Sequence, residues 1–180
     1  QQYERALADY DRAIALDPND ATAYSNRGNT HHALQQYAQA LADFDRALVL
    51  DFNYATAYYN RGNTHHALQQ YAQALANYDQ AIALDPDDVK AYYNRGVTHK
   101  ALQQYERALA DFDLAVALAP NHVKAYYNRG ITHAALQQYA QALADYDRAV
   151  ALDPTLAQAY CNRGNTHAAL HQYAQALSDY

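Results

Sequence analysis

The amino-acid sequence predicts an all-α fold made of antiparallel helix pairs that repeat every 34 residues. Identical residue types return at this period along the 180-residue chain. About half of the residues are hydrophobic, and they recur at the three- and four-residue steps of an amphipathic helix. A turn or a proline separates successive stretches, so each stretch is a separate helix. Because neither helix of a pair can bury its apolar stripe alone, the pairs must stack on one another.

Tyrosines, glycines and prolines carry the 34-residue period. The tyrosines are Tyr37, Tyr71, Tyr105, Tyr139 and Tyr173, and the glycines are Gly28, Gly62, Gly96, Gly130 and Gly164. The prolines Pro18, Pro86, Pro120 and Pro154 keep the same frame, and Phe52 replaces proline once. Residues 21–54 and 55–88 are identical at 25 of 34 positions, which indicates recent duplication.

The first helix of the first full repeat is predicted at about 21–34. Its stripe of Tyr24, Gly28 and His31 has i, i+4, i+7 spacing and would face a partner helix. Glycine inside a helix costs about 1 kcal/mol relative to alanine. We therefore expect a neighbouring backbone to approach closely at Gly28.

A second helix is predicted at about 37–50, after a Gln-Gln turn. Its apolar stripe includes Ala40, Phe44 and Ala47 at helical spacing. Asp-Pro ends most second helices, because proline cannot continue the hydrogen-bond ladder and displaces the preceding residue from the α region. Each repeat is therefore a pair of helices joined by a short turn.

One pattern returns in this frame: an aromatic residue, a glycine, two alanines around a second aromatic residue, and Asp-Pro. Its members are Tyr24, Gly28, Ala40, Phe44, Ala47 and an Asp-Pro end such as Asp85-Pro86. The pattern resembles the tetratricopeptide repeat over the whole chain. This resemblance implies a right-handed superhelix of nearly identical repeats. Two positions depart from the family pattern, since Arg27 and its equivalents stand where leucine is common and His31 and its equivalents where tyrosine is common.

The repeat frame predicts that residues 1–180 form a single array. Residues 1–20 are a half repeat with the second helix only, and residues 157–180 are an incomplete repeat. The full repeats are 21–54, 55–88, 89–122 and 123–156. Both ends would then expose apolar stacking surface, which makes end-to-end self-association through uncapped termini one expected mode of assembly.

The composition argues against several classes of protein. A net charge of −6 lacks the basic footprint that nucleic-acid binding requires. No apolar stretch is long enough for a membrane span, and a cytoplasmic location is the default expectation. We predict no enzyme, no cofactor and no metal site, because the chain has no Gly-rich phosphate loop and adjacent histidines such as His31 and His32 diverge on a helix.

The strongest functional signal is one asparagine on every first helix. These residues are Asn26, Asn60, Asn94, Asn128 and Asn162, and Asn29 and Asn63 share their helical face. The family resemblance places this face on the concave wall of the superhelix. A carboxamide both donates and accepts hydrogen bonds, so a row of them suits the backbone of an extended peptide. The alternative is a solvated polar face with no ligand.

The charges divide between the two helices of each repeat. No first helix contains Asp or Glu, whereas all three lysines, Lys90, Lys100 and Lys124, lie on first helices. This division predicts a neutral-to-basic inner face that would favour an acidic peptide. The alternative is that the acids only serve helix ends and arginine partners.

Two lysines and three tyrosines complete the predicted peptide-binding surface. Lys90 and Lys124 each precede an asparagine of the row by four residues. This spacing is similar to part of the clamp with which some family members hold a terminal carboxylate, although the clamp is incomplete here. Tyr59, Tyr93 and Tyr127 would add amphipathic contact area, which makes the middle three repeats the predicted binding segment.

The arginine and histidine series have structural interpretations. We predict that Arg27 pairs with Asp43 between the two helices of one repeat, and that equivalent pairs recur. Those pairs are Arg95–Asp111, Arg129–Asp145 and Arg163–Asp179. Asn77 removes the charge opposite Arg61, which should then bind another oxygen. His31 and its equivalents should pack between helices with one ring nitrogen bonded.

The sequence therefore predicts a non-enzymatic scaffold that binds an extended peptide or partner protein along its concave groove. Two alternatives stay open: a self-associating structural array without a dedicated ligand, and a regulatory or targeting segment of a larger enzyme.

Overall fold

The computed structural model describes residues 2–179 and shows eleven α-helices within them. In chain order they are α1 (Gln2–Leu16), α2 (Ala21–Ala33), α3 (Tyr37–Leu50), α4 (Ala55–Ala67), α5 (Tyr71–Leu84), α6 (Val89–Ala101), α7 (Tyr105–Leu118), α8 (Val123–Ala135), α9 (Tyr139–Leu152), α10 (Ala157–Ala169) and α11 (Tyr173–Asp179). The helices predicted at about 21–34 and 37–50 are α2 and α3, so their bounds agree within one residue. The all-α prediction is confirmed.

The chain divides into two compact units, Gln1–Ala91 and Tyr92–Tyr180. In the first unit, each helix from α1 to α4 packs against the next one, up to α5. In the second unit, each helix from α7 to α10 packs against the next one, up to α11. The first helices of consecutive repeats also touch, as α2 and α4 do in one unit and α8 and α10 in the other. Within each unit, the helix pairs therefore stack on their neighbours as predicted.

Small residues let the two helices of a repeat approach each other closely. Ala40 and Ala47 on α3 are 0% exposed, and Phe44 between them is also fully buried. The equivalent alanines are buried in the same way at Ala74, Ala81, Ala108, Ala115, Ala142 and Ala149. The largest fully buried side chains are the aromatic ones at this place in the repeat, namely Phe44, Tyr78, Phe112 and Tyr146. An alanine and aromatic layer on the second helix thus forms the core.

Each glycine on a first helix faces one of these buried rings. A Cβ atom added at Gly28 would lie 2.8 Å from Cε1 of Phe44, and one added at Gly130 would lie 2.7 Å from Cε1 of Tyr146. The same approach recurs at Gly62 against Tyr78 and at Gly96 against Phe112. The sequence led us to expect a backbone next to Gly28. That expectation was wrong, because the close neighbour is an aromatic side chain.

The turn inside each repeat places a non-glycine residue in the left-handed region. Gln35 has φ 59°, and its N–H donates to the carbonyl of His32 at 2.9 Å. The Gln36 N–H donates to the carbonyl of His31 at 2.8 Å, which completes a Schellman-type helix end. The equivalent left-handed residues are Gln69, Gln103, Gln137 and His171. This conformation costs about 1 kcal/mol for a residue with a Cβ atom, so helix packing must hold the turn closed.

Replacing Gly130 with alanine is expected to lower the free energy of unfolding by about 2 kcal/mol, although alanine is the better helix former. The reason is the 2.7 Å approach of the added Cβ atom to the Tyr146 ring. Chemical denaturation followed by circular dichroism measures the effect. In a Tyr146→Leu background, which removes the ring, the same substitution should be much less damaging. A Gly130→Ala variant as stable as the native chain would contradict the prediction.

Candidate functional site

An arginine on the first helix binds an aspartate on the second helix of the same repeat. Arg129 Nε donates to Asp145 Oδ2 at 2.9 Å, and Arg129 Nη2 donates to Asp145 Oδ1 at 2.6 Å. Asp145 is 4% exposed, so this is a largely buried ion pair. The same bidentate geometry joins Arg27–Asp43, Arg95–Asp111 and Arg163–Asp179. All four predicted pairs are confirmed.

The repeat without the aspartate keeps the same contact with a neutral partner. Arg61 Nε donates to Asn77 Oδ1 at 2.7 Å, and Arg61 Nη1 donates to Asp45 Oδ1 at 2.6 Å. The expectation that this arginine binds other oxygens is therefore confirmed.

Arginine also links consecutive repeats, which the sequence interpretation missed. Arg129 Nη1 donates to Asp113 Oδ1 at 2.7 Å on the preceding second helix. Equivalent bonds join Arg27–Asp11, Arg61–Asp45 and Arg163–Asp147. The signal was present, because an aspartate stands two residues after each position that binds arginine within a repeat. Asp113 is 62% exposed at its side chain, so this second bond contributes less to stability than the buried pair.

The histidine series anchors the turn within each repeat. His31 Nδ1 shares a hydrogen bond of 2.7 Å with Gln36 Oε1. The equivalent pairs are His65–Gln70, His99–Gln104, His133–Gln138 and His167–Gln172. His31 Nε2 also lies 3.8 Å from Asp43 Oδ2. The prediction of histidines packed between helices with a bonded ring nitrogen is confirmed, and their contacts are structural.

The asparagine row in the second unit bonds to tyrosines one repeat earlier. Asn128 Nδ2 donates to Tyr93 Oη at 3.1 Å, and Asn162 Nδ2 donates to Tyr127 Oη at 3.0 Å. We call the surface of α6, α8 and α10 that carries these four residues the Tyr–Asn face. All four residues are predicted site residues, although the sequence indicates the tyrosines and the asparagines only as independent contacts for a ligand. Their mutual hydrogen bonds show that they also position one another.

Asn128 makes more intramolecular contacts than a residue reserved for a ligand would make. Its Nδ2 also donates to the Lys124 carbonyl at 2.9 Å, and its Oδ1 accepts a hydrogen bond of 2.5 Å from Lys100 Nζ. Asn162 differs, because within residues 2–179 its side chain makes one hydrogen bond, the one to Tyr127. The two asparagines therefore offer different hydrogen-bonding capacity on the same face.

The remaining predicted site residues have varied surroundings. Asn63 Oδ1 accepts from Tyr78 Oη at 2.9 Å, and the Tyr59 ring lies 6.2 Å from the Tyr78 ring. Lys90 and Lys124 are exposed at the starts of α6 and α8. Asn29 is exposed, whereas Asn26, Asn60 and Asn94 are half-buried. Ser25, which stands where the other repeats have Tyr or Cys, is buried at 1% exposure.

A cavity of about 260 Å³ lies between α8, α9 and α10. Its apolar lining consists of Ile131, Ala134, Tyr139 and Tyr146, with Ala169 at the end of α10. Asn162, Asn165 and Thr166 supply the polar part of the lining. We call this space the Ile131 cavity. Of its lining residues, only Asn162 was a predicted site residue. The others were missed because their proximity depends on how three helices pack.

His122 joins the Tyr–Asn face to the start of α8. Its ring centroid lies 5.0 Å from that of Tyr93, and its Nδ1 accepts a hydrogen bond from the Ala125 N–H at 3.1 Å. Burial lowers the pKa of His122 below its ordinary value, and the positive charge of Lys124 lowers it further. The folded chain thus favours the neutral imidazole that can cap the helix.

Residues 2–179 were also compared with the requirements of a metal site and of a membrane-spanning helix. In this part of the chain, no group of three or more His, Cys, Asp or Glu side chains could hold a metal ion. None of the described helices is long and apolar enough to cross a membrane.

The stacked helix pairs, with buried alanines inside and arginine bonds between repeats, define a helical-repeat protein. Family models described as "TPR repeat" match residues 1–35, 28–69 and 62–103, and models described as "Tetratricopeptide repeat" match residues 98–160 and 145–178. The chain therefore belongs to the tetratricopeptide-repeat family. The comparison with curated protein sequences found no match.

Several solved structures share this fold. YrrB, described as a TPR protein with an unusual peptide-binding site, is 29% identical with a TM-score of 0.81, over 94% of this chain and 88% of that chain. PilW, described as a widely conserved type IV pilus biogenesis factor, is 23% identical with a TM-score of 0.88. The match covers 99% of this chain and 83% of that chain. MamA from Desulfovibrio magneticus RS-1 is 23% identical with a TM-score of 0.83. The match covers 88% of this chain and 90% of that chain. The predicted fold class is confirmed.

Removing the buried carboxylate of Asp145 by an alanine substitution is expected to lower the free energy of unfolding by about 3 kcal/mol, because Arg129 would lose its partner in a largely dry site. Asp145→Asn should cost clearly less, since Asn77 shows that a carboxamide oxygen can accept from this arginine. The matched control is Asp113→Ala, whose exposed carboxylate should contribute below about 1 kcal/mol. Denaturant titration of the three variants measures these differences, and equal losses at Asp145 and Asp113 would contradict them.

Acidification is expected to destabilise the second unit through His122. Its pKa in the folded chain is lower than its ordinary value, so its contribution to stability is present above that ordinary value. The contribution is lost as the pH falls through the lowered pKa, because protonated Nδ1 cannot accept from Ala125. His122→Asp should reduce the loss of stability between about pH 7 and pH 5, since aspartate still caps the helix there. Thermal unfolding midpoints across this range test the prediction, and identical slopes in both chains would refute it.

Proposed function

We propose that this chain is a protein-interaction scaffold that binds an extended peptide segment of a partner protein. The binding surface in the second unit is the Tyr–Asn face together with the Ile131 cavity. Family membership supports a scaffold, and the 29% identical YrrB is described as having a peptide-binding site. The first helices, which carry the Tyr–Asn face, contain no acidic residue and hold all three lysines. The cytoplasmic location predicted as a default stays a prediction.

The Ile131 cavity is the observation that carries this proposal. Its volume of about 260 Å³ is large enough for one or two side chains of a peptide, and its walls are aliphatic and aromatic. Asn162 lies at its lining and uses Nδ2 for Tyr127, so its Oδ1 can accept a hydrogen bond from a peptide N–H. An apolar pocket next to a fixed carboxamide is a suitable arrangement for one side chain and the adjoining backbone.

The other predicted site residues contribute differently to the proposal. Tyr127 offers an aromatic surface that its bond with Asn162 holds in place. The Asn128 carboxamide is bonded internally, so it shapes the wall of the face instead of pairing freely with a peptide backbone. The sequence predicts a binding segment in the middle three repeats. The proposal moves its centre to α8 and α10, where the cavity lies.

Filling the Ile131 cavity is expected to weaken peptide binding at least tenfold without unfolding the chain. Ala169→Phe places a ring at the exposed edge of the cavity, while Ala144→Phe on α9 is the matched control on an exposed second-helix position. Peptides selected from a display library on the native chain are titrated against both variants by fluorescence anisotropy. Circular dichroism confirms that both variants stay helical.

Unchanged affinity in Ala169→Phe would show that the cavity is not the binding site. If the native chain selects no peptide, the scaffold proposal fails. Concentration-dependent mass in sedimentation would then favour the self-associating array. The exposed Leu16 on α1 and Leu177 on α11 are surfaces that such an array could use.

A further inference from the structure

Lys100 is a half-buried cation that forms no ion pair within residues 2–179. It occupies a repeat position where the other repeats have His32, His66, Ala134 and Ala168. Its Nζ reaches from the end of α6 to α8 and donates to Asn128 Oδ1 at 2.5 Å. This position differs from that of Lys90 and Lys124, which lie exposed in the first turns of their helices. Lys100 therefore differs in burial and in contacts from Lys90 and Lys124, the two lysines among the predicted site residues.

The environment of Lys100 fixes its ammonium group on the Tyr–Asn face. Asn128, which accepts from Lys100, is itself held by Tyr93 Oη at 3.1 Å and by the Lys124 carbonyl at 2.9 Å. Tyr93 is in turn supported by the ring of His122 at 5.0 Å. Rotation of the Asn128 carboxamide would break its hydrogen bonds to Tyr93 and to the Lys124 carbonyl. The ammonium group is consequently presented at a defined point between α6 and α8.

No acidic side chain within residues 2–179 forms an ion pair with Lys100. The ion pairs described in the second unit join arginine or histidine to aspartates of the second helices. The helices α6, α8 and α10 contain no Asp or Glu. Burial lowers the pKa of Lys100 from its ordinary value, because a partly dehydrated ammonium group is less stable than one in water. A partly dehydrated cation without a counter-ion binds a carboxylate more strongly than it binds a neutral acceptor.

We propose, on the basis of the proposed function, that Lys100 selects a carboxylate in the bound peptide. One of its three N–H groups is used by Asn128, and the others are directed to the carboxylate. Asn128 and Tyr93 act as positioning residues that hold the ammonium group in place. The peptide therefore carries an acidic group at the point that faces the gap between α6 and α8, next to the segment that enters the Ile131 cavity.

A peptide can supply this carboxylate either from an Asp or Glu side chain or from its C-terminus. Two randomised decapeptide libraries with an amidated C-terminus separate these sources, one with glutamate and one with glutamine fixed at the fifth position. A third library has glutamine at that position and a free C-terminal carboxylate. The native full chain should enrich the glutamate library or the free-carboxylate library about tenfold over the amidated glutamine library.

Charge removal at Lys100 tests the assignment directly. Lys100→Met removes the ammonium group, and Lys100→Gln keeps a donor for Asn128 Oδ1 while removing the charge. Both variants should lose the roughly tenfold preference for a carboxylate over the amidated glutamine library. Arg107→Met is the charge-matched control, because Arg107 is exposed on the second helix α7 of the same unit. This control should keep the preference.

Asn128→Asp is a second, independent variant. It places a carboxylate at the atom that already accepts from Lys100, so the lysine would be neutralised within the chain. The carboxylate preference should then disappear while circular dichroism shows that the chain stays helical. A Lys100→Met chain that keeps the full preference, or a native chain that binds all libraries equally, overturns the inference while leaving the scaffold proposal intact. A native chain that binds none of the libraries overturns both.

Discussion

The contact between a glycine and a buried aromatic ring sets the geometry on which the rest of each repeat depends. Gly28 on α2 meets the ring of Phe44 on α3, and the same contact returns in the repeats that follow. Because a protein interior is close-packed, the ring can lie there only when the facing helix carries no side chain. The contact brings the two helices near enough for the arginine of one to bind the aspartate of the other. Packing and electrostatics within a repeat are thus consequences of a single steric constraint.

The arginine series extends this order from one repeat to the next. Each guanidinium has a flat, forked set of donors that can serve two carboxylates at once. Arg129 uses one edge for Asp145 in its own repeat and Nη1 for Asp113 in the preceding one. Its ring neighbour Tyr126, with the guanidinium 5.4 Å from the ring centroid, supports it from a third side. A residue that departs from the family pattern therefore links consecutive repeats in this chain.

The sequence was sufficient for the features that depend on local periodicity. The helix bounds, the stacking of pairs and the four arginine–aspartate pairs within repeats all follow from a pattern that returns every 34 residues. The bonds from Tyr93 to Asn128 and from Tyr127 to Asn162 were not predicted, because they depend on how far one first helix is displaced from the next. The Ile131 cavity was missed for the same reason. Its lining comes from three helices. Two of the lining residues, Tyr139 and Tyr146, lie on the second helix α9 and not on the polar face of the first helices.

Lys100 shows a further limit of reasoning from repeats. A search for recurring residues gives weight to positions that stay constant, and Lys100 stands at a position that varies. Its importance is visible only when the hydrogen bond to Asn128 and the lack of acidic residues on the surrounding first helices are considered together. In a chain of nearly identical units, the positions that break the repetition are the ones that can distinguish one ligand from another.

The spacing of the arginine bonds also determines how such a chain acquires its structure. Arg129 contacts residues 16 positions before it and 16 positions after it, and the tyrosine–asparagine bonds span 35 positions. Contacts between residues so close in sequence require only short loops to close, so the entropy lost in forming each one is small. Folding can therefore start in any helix pair and spread to its neighbours, and the rate should depend weakly on the number of repeats. The same locality lets a terminal pair open without the interior pairs losing their contacts.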